Sequence, residues 1–347
     1  MANSVIEQRR LRLILISIIG IVALFIFFIS YLSVGAVDYG FFEVMDALFS
    51  AIAKGGQDLT PIEAIVYHAR FPRALGVIGV GIGLSVAGVV LQAIIRNPLV
   101  DPYITGISSG AGLAAAIAMS SGITFFGSLI FTVPIAAFIG AIAAFTCTIL
   151  LAEASGGRPI TYVLSGVVVG LGLSSFTTMI LVFSGDQVQG ILFWLFGSFT
   201  GVSWSNVWII LIPILALTLG IGLYARELNL ILLGDEQARQ LGLNVKRFKL
   251  LCMVLTSILT AFSVAFTGII MFLGLIVPHI SRLIVGSDHR ILLPMSMLMG
   301  ANILLLADIM ARVAARPMEL PVGAIISLIG APFFAYLMIR KGKEYVG

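Results

Sequence analysis

The chain has 347 residues, of which 60% are hydrophobic and only 10% charged, against roughly 25% charged in soluble domains. Water cannot be the main solvent of such a chain. Its net charge of +4 is modest, and the placement of the basic residues reads as membrane topology rather than as a nucleic-acid footprint.

At 1.5 Å per helical residue, a hydrocarbon core of about 30 Å takes about 20 apolar residues per crossing. The expected fold class is therefore all-α, a polytopic membrane protein of about ten helices, with residues 1–347 forming one transmembrane domain. In chain order the apolar stretches place spans at 11–34, 74–95, 104–121, 124–151, 160–184, 206–224, 250–267, 268–285, 291–311 and 321–339. The first follows Arg9, Arg10 and Arg12; its length and the lack of a small-residue cleavage site read as a retained helix rather than a signal peptide. Leu250 to Val285 is too long for one straight span and leaves almost nothing for a turn between two.

Charge parity decides for two. With a cytoplasmic amino terminus and ten crossings, fifteen of the 20 Lys and Arg fall inside, among them Arg96, Arg158, Arg226, Arg239, Lys246, Arg247, Lys249 and the tail Arg340, Lys341 and Lys343. Lys54, Arg70, Arg73, Arg312 and Arg316 fall outside. Nine crossings would put the basic tail on the wrong side. The expected location is the cytoplasmic membrane, multi-pass, with both termini cytoplasmic.

Small residues recur where helices would touch: Gly79 and Gly83, Gly106 and Gly110, and Gly166, Gly170 and Ser174. They let backbones approach closely. Cys147 and Cys252 lie far apart in apolar segments, and His68, His279 and His289 are scattered, so neither a disulfide nor a metal site is expected. No ionisable residue falls in the middle of a span, which counts against an ion-coupled carrier; a structural or receptor-like membrane protein is the other alternative class. Asp308, four residues before Arg312, reads as a helical ion pair.

The most polar stretch, residues 226–249 (RELNLILLGDEQARQLGLNVKRFK), forms two short helices around Gly234 and Gly242. It is either a solvated connector or a surface for a soluble partner to push on. No G-x-x-x-x-G-K-[ST] sequence occurs, so the chain is not expected to bind ATP by a P-loop or to be an enzyme; any ATPase is a separate subunit.

Several motifs together carry a resemblance. RFPR at Arg70–Arg73, SVAGVVLQAIIRNPLVDPYITGISSGAG from Ser85 to Gly112, WLFGS from Trp194, GDEQARQLG from Gly234, GLIVPHISRLIVGSDHR from Gly274 and LLLADIMAR with ELPVGAIISLIGAPFF from Leu304 to Phe334 follow one another in order. The chain resembles the permease subunits of the iron-siderophore, haem and cobalamin class of ABC importers, the type II importer fold, over nearly its whole length.

The resemblance implies a homodimer, two ATP-binding subunits on the cytoplasmic side and an extracytoplasmic substrate-binding protein, with no cofactor on this chain, ATP on the partner subunit and no nucleic acid. It implies that Arg70, Arg73 and Arg312 receive acidic residues of the binding protein, where the sequence alone offers headgroup anchors. Gly234, Asp235, Glu236, Ala238, Leu241 and Gly242 become residues that dock the ATPase. Asn97 and Leu99 become half of a cytoplasmic gate, although Pro98 would enforce a turn there in any case. The facing loop departs from the cobalamin-type pattern, with Pro159 and Ile160 where a hydroxyl pair would align and Thr161 one place later, which leaves the other half of the gate unassigned. The implied mechanism is alternating access. The implied substrate is a metal chelate, iron-siderophore first, with cobalamin, haem and molybdate or tungstate as alternatives.

Overall fold

The computed structural model describes residues 2–124 and 129–346, and the described residues hold helices and no strand. In chain order these are α1 (Ala2–Ser33), α2 (Phe41–Ala53), α3 (Pro61–Ala64), α4 (Phe71–Ile95), α5 (Ile107–Ser121), α6 (Leu129–Ala154), α7 (Pro159–Phe183) and α8 (Val188–Leu195). Then follow α9 (Trp204–Gly222), α10 (Ala225–Leu232), α11 (Asp235–Gln240), α12 (Val245–Thr267), α13 (Leu273–Val285), α14 (His289–Val313) and α15 (Val322–Val346). Among the described residues seven helical spans are long and apolar enough to cross a membrane, and three shorter apolar helices, Ile107–Ser121, Leu273–Val285 and Val322–Tyr336, complete the set. Every expected span has its helix.

The axis of the bundle is α4. It is buried along most of its length because glycines let four neighbouring helices approach its backbone. A Cβ on Gly81 would lie 2.5 Å from the Gly300 carbonyl oxygen of α14, and one on Gly88 would lie 1.8 Å from that of Gly274 in α13. Gly79 and Gly83 meet Leu211 of α9 and Ser263 of α12, Gly110 crosses Gly140 of α6, and Gly166 of α7 meets the Ile104 carbonyl. In lipid, where apolar area gives no driving force between helices, such contacts hold them together through dispersion.

The helix of the eighth span is short. With 13 residues, α13 is about 20 Å long, short of the roughly 30 Å of hydrocarbon. The awkward stretch resolves because α12 begins at Val245 and ends at Thr267, and residues 268–272 form the turn, with Gly268 at φ +69° and Phe272 at φ +67°. α13 therefore starts deep, where a Cβ on Gly274 would touch the Pro102 ring and the Leu84 carbonyl oxygen at the middle of α4.

That contact also positions the loop after α4. The segment after α4 folds back against α13, and Asp101 is half-buried beside Pro102. Its carboxylate caps the 3₁₀ turn Pro102–Thr105 by accepting the Tyr103 N–H at 2.9 Å. Irregular backbone is tolerated there because protein groups satisfy it: the Tyr103 hydroxyl accepts the Ile270 N–H at 3.2 Å, and the Gln92 amide donates to the Gly274 carbonyl at 3.4 Å.

The basic charges gather at one end of the bundle, with α10, α11 and the α4–α5 turn. Arg70, Arg73, Arg312 and Arg316 gather at the far end with α2 and α3. The amphipathic α2 was not foreseen. It buries Val44, Ala47, Leu48 and Ala51 against the bundle and leaves Phe42 and Phe49 exposed.

Candidate functional site

At the far end, the three arginines singled out by sequence are brought together but face inward. Residues Ile65–Arg70 are wound as a π-helix, a wider turn found where a helix is locally re-aimed, and Arg70 leaves it toward the end of α1. Its Nη1 donates to the carbonyls of Leu32 (2.6 Å) and Ser33 (2.9 Å), and its Nη2 to that of Val37 (2.5 Å). A cation closing a helix C-terminus in this way satisfies carbonyls that have no partner within the helix.

Arg312 lies over the Tyr31 ring at 3.8 Å and donates to the Tyr31 carbonyl at 3.0 Å. Arg70 is 6% exposed and Arg312 5%. In the single chain two of the three arginines are enclosed, because helix ends and an aromatic ring occupy them.

Arg73 holds two carboxylates. Its Nε and Nη2 donate to Asp308 at 3.1 and 3.0 Å, and its Nη1 reaches Glu319 at 2.9 Å. Asp308 is 1% exposed and also accepts the Tyr31 hydroxyl at 2.6 Å. The expected pair with Arg312 exists but is the looser contact, at 3.7 Å. Glu319 lies at the surface and also accepts the Thr200 hydroxyl at 3.3 Å. Sequence reasoning missed Glu319 and Tyr31, neither of which stands near the arginines in the chain.

Beside this network, Gly185, Asp186, Leu192, Phe193, Phe196 and Pro321 line an open cavity of about 560 Å³ between the α7–α8 turn, α8 and the start of α15.

At the basic end, Gly234 (φ +122°) separates α10 from α11 and Gly242 (φ +90°) ends the pair. Both angles lie in the left-handed half of the map, where a side chain would be strained. Asp235 and Glu236 open α11, Ala238 is buried, and Leu241 is 60% exposed. Leu232 and Leu233, not singled out by sequence, are exposed beside it. The two short polar helices thus leave three leucines exposed, apolar side chains of the kind that a protein contact covers.

Two cations hold Asp235. Lys249 of α12 donates to both its oxygens at 2.9 and 2.8 Å, and Arg96 donates from Nη2. Burial alone would raise this carboxyl, but the Lys249 hydrogen bonds and the charges of Lys249, Arg96 and Arg239 outweigh it and hold the group below its usual value.

The turn bearing Asn97 and Leu99 follows directly. Arg96 ends α4 at φ +56°, and the Asn97 Oδ1 accepts the Leu99 N–H at 2.9 Å, which closes the turn locally. Leu99 is exposed and Val100 buried. Opposite, Glu153, Gly156, Gly157, Tyr162, Asp235 and Lys249 are among the residues around a cavity of about 370 Å³. Ile160 is exposed and the Thr161 hydroxyl donates to its own loop, to the Arg158 carbonyl at 2.7 Å; the Pro159 side chain lies outside the described residues. Among those residues no cluster of His, Cys, Asp or Glu could hold a metal.

Residues 22–340 match the FecCD transport family. The chain is 42% identical over 277 residues to the cobalamin import system permease protein BtuC of Halobacterium salinarum, covering 80% of this chain and 73% of the relative. It is 35% identical to the Fe(3+) dicitrate transport system permease protein FecC of Escherichia coli, covering 85% of this chain and 92% of the relative. A solved structure described as an inward-facing conformation of a metal-chelate type ABC transporter superposes with a TM-score of 0.80 at 29% identity, covering 92% of this chain and 97% of the other. With seven long and three shorter apolar helices among its described residues, the turn packed beside α4 and these matches along nearly all its length, the chain belongs to the FecCD transport family of membrane permeases.

Proposed function

We propose that the chain is one half of a homodimeric ATP-driven importer, with two ATP-binding subunits on the basic, cytoplasmic side and a substrate-binding protein on the far side. The observation that carries this reading is the exposure of Leu232, Leu233 and Leu241 on and beside α10 and α11, which Arg96 ties to the Asn97–Leu99 turn. A soluble subunit seated there, against Gly234, Asp235, Glu236, Ala238, Leu241 and Gly242, pushes on the permease next to its gate. The relatives' names support it. The dimer partner meets α7 and α15, whose Leu164, Val168, Leu171, Phe176, Leu328 and Ile329 are uncovered in the single chain, and the translocation path runs between the copies.

On the far side the binding protein docks over the arginine network. Arg73 receives an acidic residue through the arm now on Glu319, while Arg70 and Arg312 lie beneath it and fix the ends of α1 and α14. Electrostatic steering of an acidic partner suits such a site. The cargo is a metal chelate, with iron-siderophore preferred and cobalamin, haem or an oxyanion as alternatives, and it passes by alternating access without covalent chemistry. Asn97 and Leu99 of each copy close the path on the cytoplasmic side.

Native mass spectrometry of the gently purified complex tests the assembly. Two copies of this chain with two ATP-binding subunits are expected; a lone chain, reproducibly free of any ATPase, would overturn the reading.

A further inference from the structure

Arg96 is the first residue past α4, and its guanidinium is spread over the junction of the two cytoplasmic helices. Its Nε donates to the Ile231 carbonyl at 3.1 Å, in the last turn of α10, while Nη2 donates to the carboxylate of Asp235, the first residue of α11. One planar fork thus grips the negative end of one helix and the anionic cap of the next, with Gly234 between them. Lys249 pins the same carboxylate to α12. Among the described residues, the Arg96 pair is the one ion pair between α11 and the end of α4.

The left-handed backbone of Arg96 then leads into Asn97, and the Asn97–Leu99 hydrogen bond makes the following turn short and stiff. A displacement of α11 therefore reaches Leu99 through one side chain and three residues.

We infer that the Arg96–Asp235 clamp, with Ile231 as its second anchor, is the mechanical link that couples movement of α11 to the Asn97–Leu99 turn. Arg96 is thus a positioning residue for the gate. This inference rests on the importer reading above and adds to it which contact transmits the stroke. Both partners are about two-fifths exposed, so water screens the pair and its contribution to stability is small. What the fork supplies is direction: two donors in one plane resist both rotation and translation of the α10–α11 junction against α4.

The test uses the full complex of permease, ATPase and binding protein in liposomes, with Cys147→Ser to remove the exposed native thiol. Nitroxide labels are placed on Leu99→Cys in one series and Gln240→Cys in the other, and the distance between the two copies' labels is read with and without trapped nucleotide. In otherwise unsubstituted protein both distances shift. With Arg96→Gln the shift at position 240 persists and the shift at position 99 falls by more than about half, while uptake per ATP hydrolysed, measured without the labels, drops about tenfold, the scale of one lost charge-assisted contact.

Arg96→Lys, which keeps the charge and a donor, recovers most of the gate shift. Asp235→Asn loses it from the side of α11, which covers the case in which Arg96→Gln fails to fold. A gate shift in Arg96→Gln equal to that of the unsubstituted protein overturns the clamp. Absence of any nucleotide-dependent shift at position 240 in unsubstituted protein overturns the importer reading and the clamp with it, and is seen before any clamp variant is made.

Discussion

Replacing Arg73 by Gln should be among the most damaging single changes at the far end of the molecule. Asp308, with 1% of its side chain exposed, would keep the Tyr31 hydroxyl at 2.6 Å but lose both Arg73 donors at 3.0 and 3.1 Å, and Arg312 is 3.7 Å away. Removing one partner of a buried pair costs about 3–5 kcal/mol, because the survivor remains charged where water cannot reach it. At an unfolding entropy of about 2.1 cal/mol/K per residue, the 347 residues translate this into a midpoint lower by about 4–7 °C.

The assay is thermal unfolding in mild detergent in a Cys147→Ser background, followed by reaction of the buried Cys252 thiol with a fluorogenic maleimide. Arg316→Gln is the comparison, since the Arg316–Asp38 pair lies at the surface, where such pairs contribute little. In the double variant Arg73→Gln with Asp308→Asn the uncompensated charge is gone, so the loss should be well below the sum of the singles. A midpoint for Arg73→Gln no lower than that of Arg316→Gln would refute the reasoning.

Gly88→Ala should fail to accumulate as folded protein, because its Cβ would lie 1.8 Å from the Gly274 carbonyl oxygen, whereas Gly220→Ala, with nothing within 4 Å, should accumulate normally; quantitative membrane blots compare them. Leu233→Asp and Leu241→Asp should each reduce the amount of co-purifying ATPase at least about tenfold, the scale of an interface anchor, with the permease itself still folded by the Cys252 assay. The Asp235 carboxyl, held below its usual value of 3.8 by Lys249, Arg96 and Arg239 against the effect of burial, should stay ionised from about pH 8 down to about pH 5. A group lowered by folding contributes above its unfolded value and loses that contribution only as the pH falls through the folded one. Infrared titration read as the difference between the unsubstituted chain and Asp235→Asn should show no protonated carboxyl band at about pH 5, and such a band would contradict the clamp geometry.

The apolar helices were legible because each is an apolar run set off by charge or by turn residues, and the stretch that charge parity read as two spans does hold two helices, α12 and α13. Depth was not legible. Leu250–Val285 is uniformly apolar, and nothing in its hydropathy distinguishes a full crossing from α13, which starts midway after the left-handed Phe272. The packing of the loop at Asp101 was not legible for the same reason, since it depends on Pro102 meeting Gly274, far along the chain.

The small-residue stripes were read correctly as contact lines, but Gly81–Gly300 and Gly88–Gly274 required the partner helix to be known. At the site, the short polar helices stood out by composition, and the Asn97–Leu99 turn only through the resemblance. Leu232 and Leu233 did not, because whether a leucine beside a membrane helix faces the bundle or a partner depends on the angle that Gly234 sets. The arginines were found but not their orientation. A guanidinium near a helix end looks the same in sequence whether it faces a partner or closes the neighbouring helix, and Tyr31 and Glu319 lie far from Arg73 in the chain. Arg96 was counted only as one inside charge.

The most direct measurement is uptake of a ferric-siderophore chelate into liposomes holding the complete complex, with ATP enclosed on the side of the ATPase and all ion gradients collapsed. Uptake that depends on ATP and continues without any gradient is the expected result. Uptake that requires a gradient and ignores ATP would contradict the importer function proposed for this chain.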